Sequence, residues 1–299
     1  MTPGGSHTGV LQTSRALDER RARGAIAFLA ACVLVAVGAG AVADEPDEAQ
    51  RKVLKVCADP NNLPFSNQQG EGSENKLAEL FGREMGLPVE TYFQAQRLNF
   101  VRNTLRFKLP GEDYRCDIMM GVPVGFEQVA TTRPYYRSTY TLVYIKGRGL
   151  DAVNSVADFL ALPKEQLRRL KIGVFDRSPA SQWLKNHDLV DSGVPYRMMN
   201  ARPDYYPGEI VEKDLVQGKV DAAVLWGPIA GFAATRVKDH EVAVVPMPSE
   251  PGVKFDYQVA MGVRHGETKW KQRIDGLIES KLPQIREILQ SYRIPLQDL

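Results

Sequence analysis

The chain has 299 residues, 43% of them hydrophobic, with 38 Lys and Arg against 36 Asp and Glu. Four of those arginines (Arg15, Arg20, Arg21, Arg23) and two of the acids (Asp18, Glu19) fall in the first 43 residues, so the remainder carries 34 charges of each sign. A chain neutral over that length lacks the clustered Lys and Arg that displace counterions from a phosphate backbone, which excludes nucleic acid as a partner.

The opening segment "RRARGAIAFLAACVLVAVGAGAVAD" has the three parts of a secretory signal: a basic region, an apolar run from Ala25 to Val37, and the small-residue site Ala41-Val42-Ala43. Cleavage is expected near Ala43, delivering a chain to the periplasm with no membrane association afterwards. A membrane anchor is the rival reading, and the Ala-x-Ala site speaks against it. Cys32 has no lipobox around it.

About 256 residues follow, enough for two lobes with separate cores. "KVLKVCAD" is predicted to be a strand and runs into "PNNLPFSNQQGEGSEN", a loop by its Pro, Asn and Gly content. "KLAELFGREMGL" has helical spacing, "PVETYFQA" is a strand, and "LNFVRNTLRFKL" is predicted as a second helix with Leu98, Val101, Leu105 and Leu109 on one face. "CDIMMGV" is the next strand. This alternation predicts a parallel, helix-covered sheet.

"YTLVYIKG" leaves the first unit, and the pattern starts again with helix "SVADFLAL", strand "KIGVFD", helix "PASQWLKNHDL", strand "YRMMN", helix "EIVEKDLVQG" and strand "VDAAVLWG". "FDYQVAMGVRH" is a further strand, and 268–292 a long helix. The expected organisation is a signal over 1–43, a first lobe over 44–142, a second over 143–257, and a return to the first over 258–299. The fold class is α/β: two mixed or parallel sheets joined by crossing strands near Thr141 and Gln258, with a cleft at the C-terminal ends of the strands.

Cys57 and Cys116 both lie on apolar strand patterns in a compartment that permits disulfides. A bridge and two buried thiols are both open readings at this point. No G-x-S-x-G elbow and no H-E-x-x-H occurs, and His187 and His265 read as solvated surface, so no enzyme activity, metal or cofactor is expected. "GRGLDA" after a strand is a connector turn rather than a dinucleotide loop. Ser178, followed by Pro179, reads as an N-cap whose helix start offers N–H groups to an anion, with Arg177 beside it.

The words "CADPNNLPFSN", "DIMMGVPVGFEQVATTRPYYRSTY", "KIGVFDRSPAS" and "VDAAVLWGPIAGFAA" resemble type II periplasmic binding proteins across essentially all the chain after the signal. More narrowly, they resemble the MxaJ/XoxJ family, the J-type accessory proteins of periplasmic quinoprotein methanol dehydrogenases, and XoxJ most. Against the amino-acid binders of that fold, two positions differ. Their ligand-gripping arginine after Glu is Gln128 here, and their acid late in the "VDAAVLW" strand is Trp226. An amino-acid zwitterion entering such a cleft finds neither counter-charge.

The resemblance therefore implies a monomeric, non-enzymatic accessory protein for a dehydrogenase of the XoxF/MxaF type, with a c-type cytochrome as a further partner. It binds a partner segment in an apolar cleft containing Asp59, Pro64, Phe65, Val122, Pro123, Gln128, Tyr135, Tyr136, Arg177, Ser178 and Trp226. The alternative is a transporter's receptor for an uncharged or aromatic solute.

Overall fold

The apolar run LKVCA forms strand β1 (Leu54–Ala58), buried at four of its five residues. A small hairpin, β2 (Asn61–Asn62) and β3 (Ser66–Asn67), takes up the polar loop beyond it. Helix α1 (Ser73–Met85) then starts at Gly72, and the Asn75 carboxamide oxygen accepts from the N–H groups of both Gly72 (3.0 Å) and Asn67 (3.1 Å). It stops at Gly86, whose φ of 66° is the left-handed conformation that glycine adopts without strain. Leu77, Leu80 and Phe81 turn one face of α1 into the core. The computed structural model describes residues 51–299 except 97, 199–201 and 203. The expected signal over 1–43 lies outside the described residues.

Strand β4 (Val89–Phe93) runs parallel to β1 with Leu54 opposite Val89. The helix expected over "LNFVRNTLRFKL" shrinks to one turn, α2 (Phe100–Asn103). Asn99 precedes it at φ 66°, and the Thr104 hydroxyl turns back to donate to the Phe100 carbonyl, 2.7 Å, which closes the turn instead of continuing it. Leu98 and Leu109, expected on its buried face, are 76% and 45% exposed. Strand β5 (Ile118–Pro123) follows, parallel to β1 with Val56 opposite Ile118.

Cys57 of β1 and Cys116, two residues before β5, form a disulfide, Cα atoms 5.4 Å apart. Beside it, Arg264 is buried and holds Asp117 and Glu267 at 2.7 Å each, while donating to the Leu105 carbonyl at 2.9 Å. Arg51 reaches Asp117 at 2.6 Å and lies over the Trp270 ring, 4.3 Å from its centroid. Every charge in this cluster is met by an opposite one, the condition for keeping ions out of water.

After β6 (Ala130–Thr131) comes β7 (Tyr136–Ile145), which belongs to both halves. The second half then adds α3 (Val156–Leu160), capped by the Ser155 hydroxyl on the Asp158 N–H, α4 (Lys164–Arg169), β8 (Ile172–Phe175) and α5 (Pro179–Asn186). Next come β9 (Gly193–Tyr196), a π-helical segment over Ile210–Leu215, and β10 (Ala222–Trp226). The strand expected over "YRMMN" lies earlier, because Gly193 to Tyr196 are the residues that register against Ile172 to Phe175; Met199 and Asn200 lie outside the described residues. Helix α6 (Gly227–Arg236), strands β11 (Val242–Pro246) and β12 (Asp256–Val263), and helix α7 (Thr268–Ser291) complete the chain.

Hydrogen bonding runs in the order β4-β1-β5-β12-β7-β10-β8-β9, with β6 on β12 and β11 on β7. The first half of β7, Tyr136 to Thr139, pairs antiparallel with β12, and from Tyr140 onward it pairs with β10 and β11. One strand thus changes partners at Tyr140. The core on the β1 side takes Trp270, Ile274, Ile278 and Ile285 from α7, and the other side packs Phe159, Trp183 and Phe255 around Leu142. The whole is an α/β mixed-sheet architecture of type II periplasmic binding proteins. Among the described residues no helix is long and apolar enough to cross a membrane.

Candidate functional site

Alternation along the strands sets which side chains meet where β7 changes partners. On β7, Tyr136 and Tyr140 share a face; on β12, Tyr257 and Val259 do; on β5, Gly121 and Pro123 do. Together with Trp226 at the end of β10, Phe65 of the hairpin and Glu74 of α1, they line a cavity of about 280 Å³. The Trp226 ring stands edge-on to Tyr140, centroids 5.5 Å apart at 61°, and to Tyr257, 5.9 Å at 73°. Tyr140 also leans on Phe255 at 5.6 Å. Burial, with Tyr257 beside it, pushes the Tyr140 hydroxyl up to about 12, so it remains protonated and able to donate.

A second, wider compartment of about 630 Å³ shares Phe65, Gln96, Gly121 and Pro123 with the first and opens away from it. Val122 of β5 lines it together with Asp59 and Gln128 from the loops beyond β1 and β5, and Met198 and Tyr205, from the loop after β9, and Ile229 of α6 line it as well. The two compartments form one cleft between the sheets.

Of the expected residues, Phe65, Pro123, Tyr136 and Trp226 line the inner compartment, and Asp59, Val122, Pro123 and Gln128 the outer. Asp59 is tied into local structure: its carboxylate accepts from the Asn61 N–H at 2.8 Å and from the Gln96 N–H, which fixes the loop beyond β1. Pro64 is buried behind the hairpin, its carbonyl accepting from the Ser73 N–H (2.7 Å) and hydroxyl (2.9 Å). Tyr135 is buried and is not among the residues lining either compartment, but its hydroxyl accepts from the Gly121 N–H at 3.2 Å.

Arg177 and Ser178 are not among the residues lining either compartment. Ser178 stands at the N-cap position of α5 without making a cap bond; its hydroxyl donates to the Phe175 carbonyl at 2.7 Å. That bond turns the side chain away from the helix start, so Ser178 does not cap α5. His187, read as solvated, is half-buried, with its ring on Glu250 at 2.9 Å and against Trp183.

Sequence reasoning missed Tyr140, Tyr257 and, most consequentially, Glu74. It is 8% exposed, lines the inner compartment, and among the described residues no donor contacts its carboxyl group. Burial, with Asp59 adding to it, raises the carboxyl to about 8. The signal was slight: an acid in the first turn of a helix is ordinarily there for the dipole and faces water.

No family model matches the chain. Periplasmic binding protein XoxJ from Methylobacterium extorquens AM1 is 32% identical and its structure aligns with a TM-score of 0.66, covering 83% of this chain and 100% of that one. MxaJ from Methlophaga aminisulfidivorans MPT is 25% identical with a TM-score of 0.67, covering 82% and 100%. Protein MoxJ of Methylorubrum extorquens AM1 is 27% identical over 278 residues, 87% of this chain and 86% of that protein. A 118-residue stretch is 37% identical to protein MoxJ of Paracoccus denitrificans, 38% of this chain and 41% of that protein's length. With a solved relative above 30% identity matched over its full length, and the same cleft-bearing fold in both, the chain belongs to the MxaJ/XoxJ family of periplasmic binding proteins.

Proposed function

We propose that the protein is a non-enzymatic periplasmic accessory factor for a quinoprotein methanol dehydrogenase of the XoxF/MxaF type, binding a segment of the immature enzyme in the cleft to assist its maturation or activation. The observation that supports this is the lining. Trp226 stands where the resemblance puts the acid of an amino-acid binder, Tyr140, Tyr257, Tyr136 and Phe65 line the compartment with it, and Gln128, where the resemblance puts the arginine, stands neutral in the outer compartment. Partly exposed aromatic rings in a groove between two sheets are the anchors that protein segments use. Co-purification of the secreted protein with apo and holo dehydrogenase tests the reading: association is expected with the wild type and a loss of about tenfold or more with Trp226→Ala. Association with neither form of the enzyme overturns it.

A second reading, a receptor for a small solute, is favoured by the size of the inner compartment, about 280 Å³, which is the scale of a small metabolite. A thermal-shift screen separates the two, since a metabolite in large excess over its dissociation constant adds a few kcal/mol of stability.

A further inference from the structure

The inner compartment contains an arrangement that neither reading uses. Glu74 is 8% exposed, and among the described residues nothing donates to its carboxyl group. Space for that group is made by Gly121, where an added Cβ would collide with Glu74 Oε1. Gly121 has a φ of 71°, a conformation costly for any side chain, so the sheet is shaped around the acid. Among the described residues no Lys, Arg or His lines the compartment. A buried carboxylate is costly unless it meets an opposite charge, and this one meets none among the described residues.

The rings around it complete the pattern. Tyr140 and Tyr257 stand at 61° and 73° to Trp226, and all three line the compartment. The faces of such rings carry negative potential and attract a cation whose hydration shell has been stripped.

We infer that the inner compartment is a site for an alkylammonium group, its charge on the Glu74 carboxylate and its methylenes or methyls against Trp226, Tyr140 and Tyr257. The group is supplied either by a free small amine or by a lysine side chain entering through the outer compartment. The inference rests on the cleft being a binding site and not on which dehydrogenase is served. The titratable groups facing Glu74 are Asp59, Tyr135 and Tyr136, and burial holds both tyrosines neutral. Because the empty carboxyl lies near 8, capture of the cation at neutral pH ionises it and releases a proton.

Calorimetric titration of the secreted protein with butylammonium and with butan-1-ol provides the test. Butylammonium binds about tenfold or more tightly than the alcohol, with proton release seen as a heat that depends on the buffer's own ionisation. Glu74→Gln, which keeps shape and removes the charge, abolishes both the preference and the proton release; Trp226→Leu weakens the ammonium more than the alcohol. Equal binding of the two probes, or no saturable binding of butylammonium, overturns the inference.

Nα-acetyl-lysine methylamide identifies the source. Binding about tenfold tighter than butylammonium assigns the site to a polypeptide lysine, and no gain assigns it to a free amine. If butylammonium fails while Trp226→Ala still abolishes association with the dehydrogenase, the cation site alone is wrong. If it binds and no dehydrogenase associates, the accessory role alone is wrong.

Discussion

Glu74 and Gly121 share one space: the carboxylate oxygen of the first stands where the side chain of any other residue at the second would have to be. Gly121→Ala therefore has two costs, a strained φ of 71° and the eviction of the acid. A loss of about 1–3 kcal/mol in denaturant unfolding is expected, together with weaker butylammonium binding. An unchanged midpoint and affinity would show that the two residues move independently.

Glu74 also predicts how stability depends on pH. Its folded value of about 8 lies above the ordinary 4.5, so the folded state holds a proton that the unfolded state has lost. For such an acid, stability is greatest below about 4.5 and falls as pH rises toward 8, by on the order of a few kcal/mol. Glu74→Gln is expected to flatten that part of the curve and to be more stable than wild type at the alkaline end. A mutant curve parallel to the wild type's across this window would refute the burial assigned to the carboxyl.

Arg264 tests the opposite situation, a buried charge fully met. It binds Asp117 and Glu267 at 2.7 Å each and donates to backbone beside the disulfide. Arg264→Met leaves the buried carboxylates of Asp117 and Glu267 to share the single charge of Arg51, and a loss of about 3–5 kcal/mol is expected. Adding Glu267→Gln recovers part of it, because Arg51 then pairs with Asp117 alone.

The Cys57–Cys116 bridge closes a loop spanning 59 positions. In the chain-entropy account a loop of that length stabilises by about 4 kcal/mol. Replacing both cysteines by alanine is expected to lower the unfolding free energy by that order, while leaving calorimetric binding at the cleft unchanged, since neither side chain lines it.

Much of the fold was readable because the signals were local. Leu77, Leu80 and Phe81 repeat at helical spacing, and the apolar run of β1 is bounded by Pro and Asn. The helix drawn through Leu98 to Leu109 failed because Thr104 and Asn99 offer the backbone local alternatives that apolar spacing does not register. Helix α6 went unread for a different reason: it packs by its glycines, Gly227 against the Thr139 carbonyl and Gly231 against that of Arg293, so it has no apolar stripe to detect.

At the site, Gln128 and Trp226 were visible as departures from a resemblance. Glu74, Tyr140 and Tyr257 were not, because only the pairing of β7 with β12 and β10 brings them together.

Tyr140, where β7 exchanges β12 for β10 and β11, also lines the inner compartment, so a group gripped there rests on the strand that both sets of pairings share. Met198 and Ile229 line the wider compartment instead. Small-angle scattering of the protein with and without saturating butylammonium is accordingly expected to give the same radius, the amine bracing a seam that is already built.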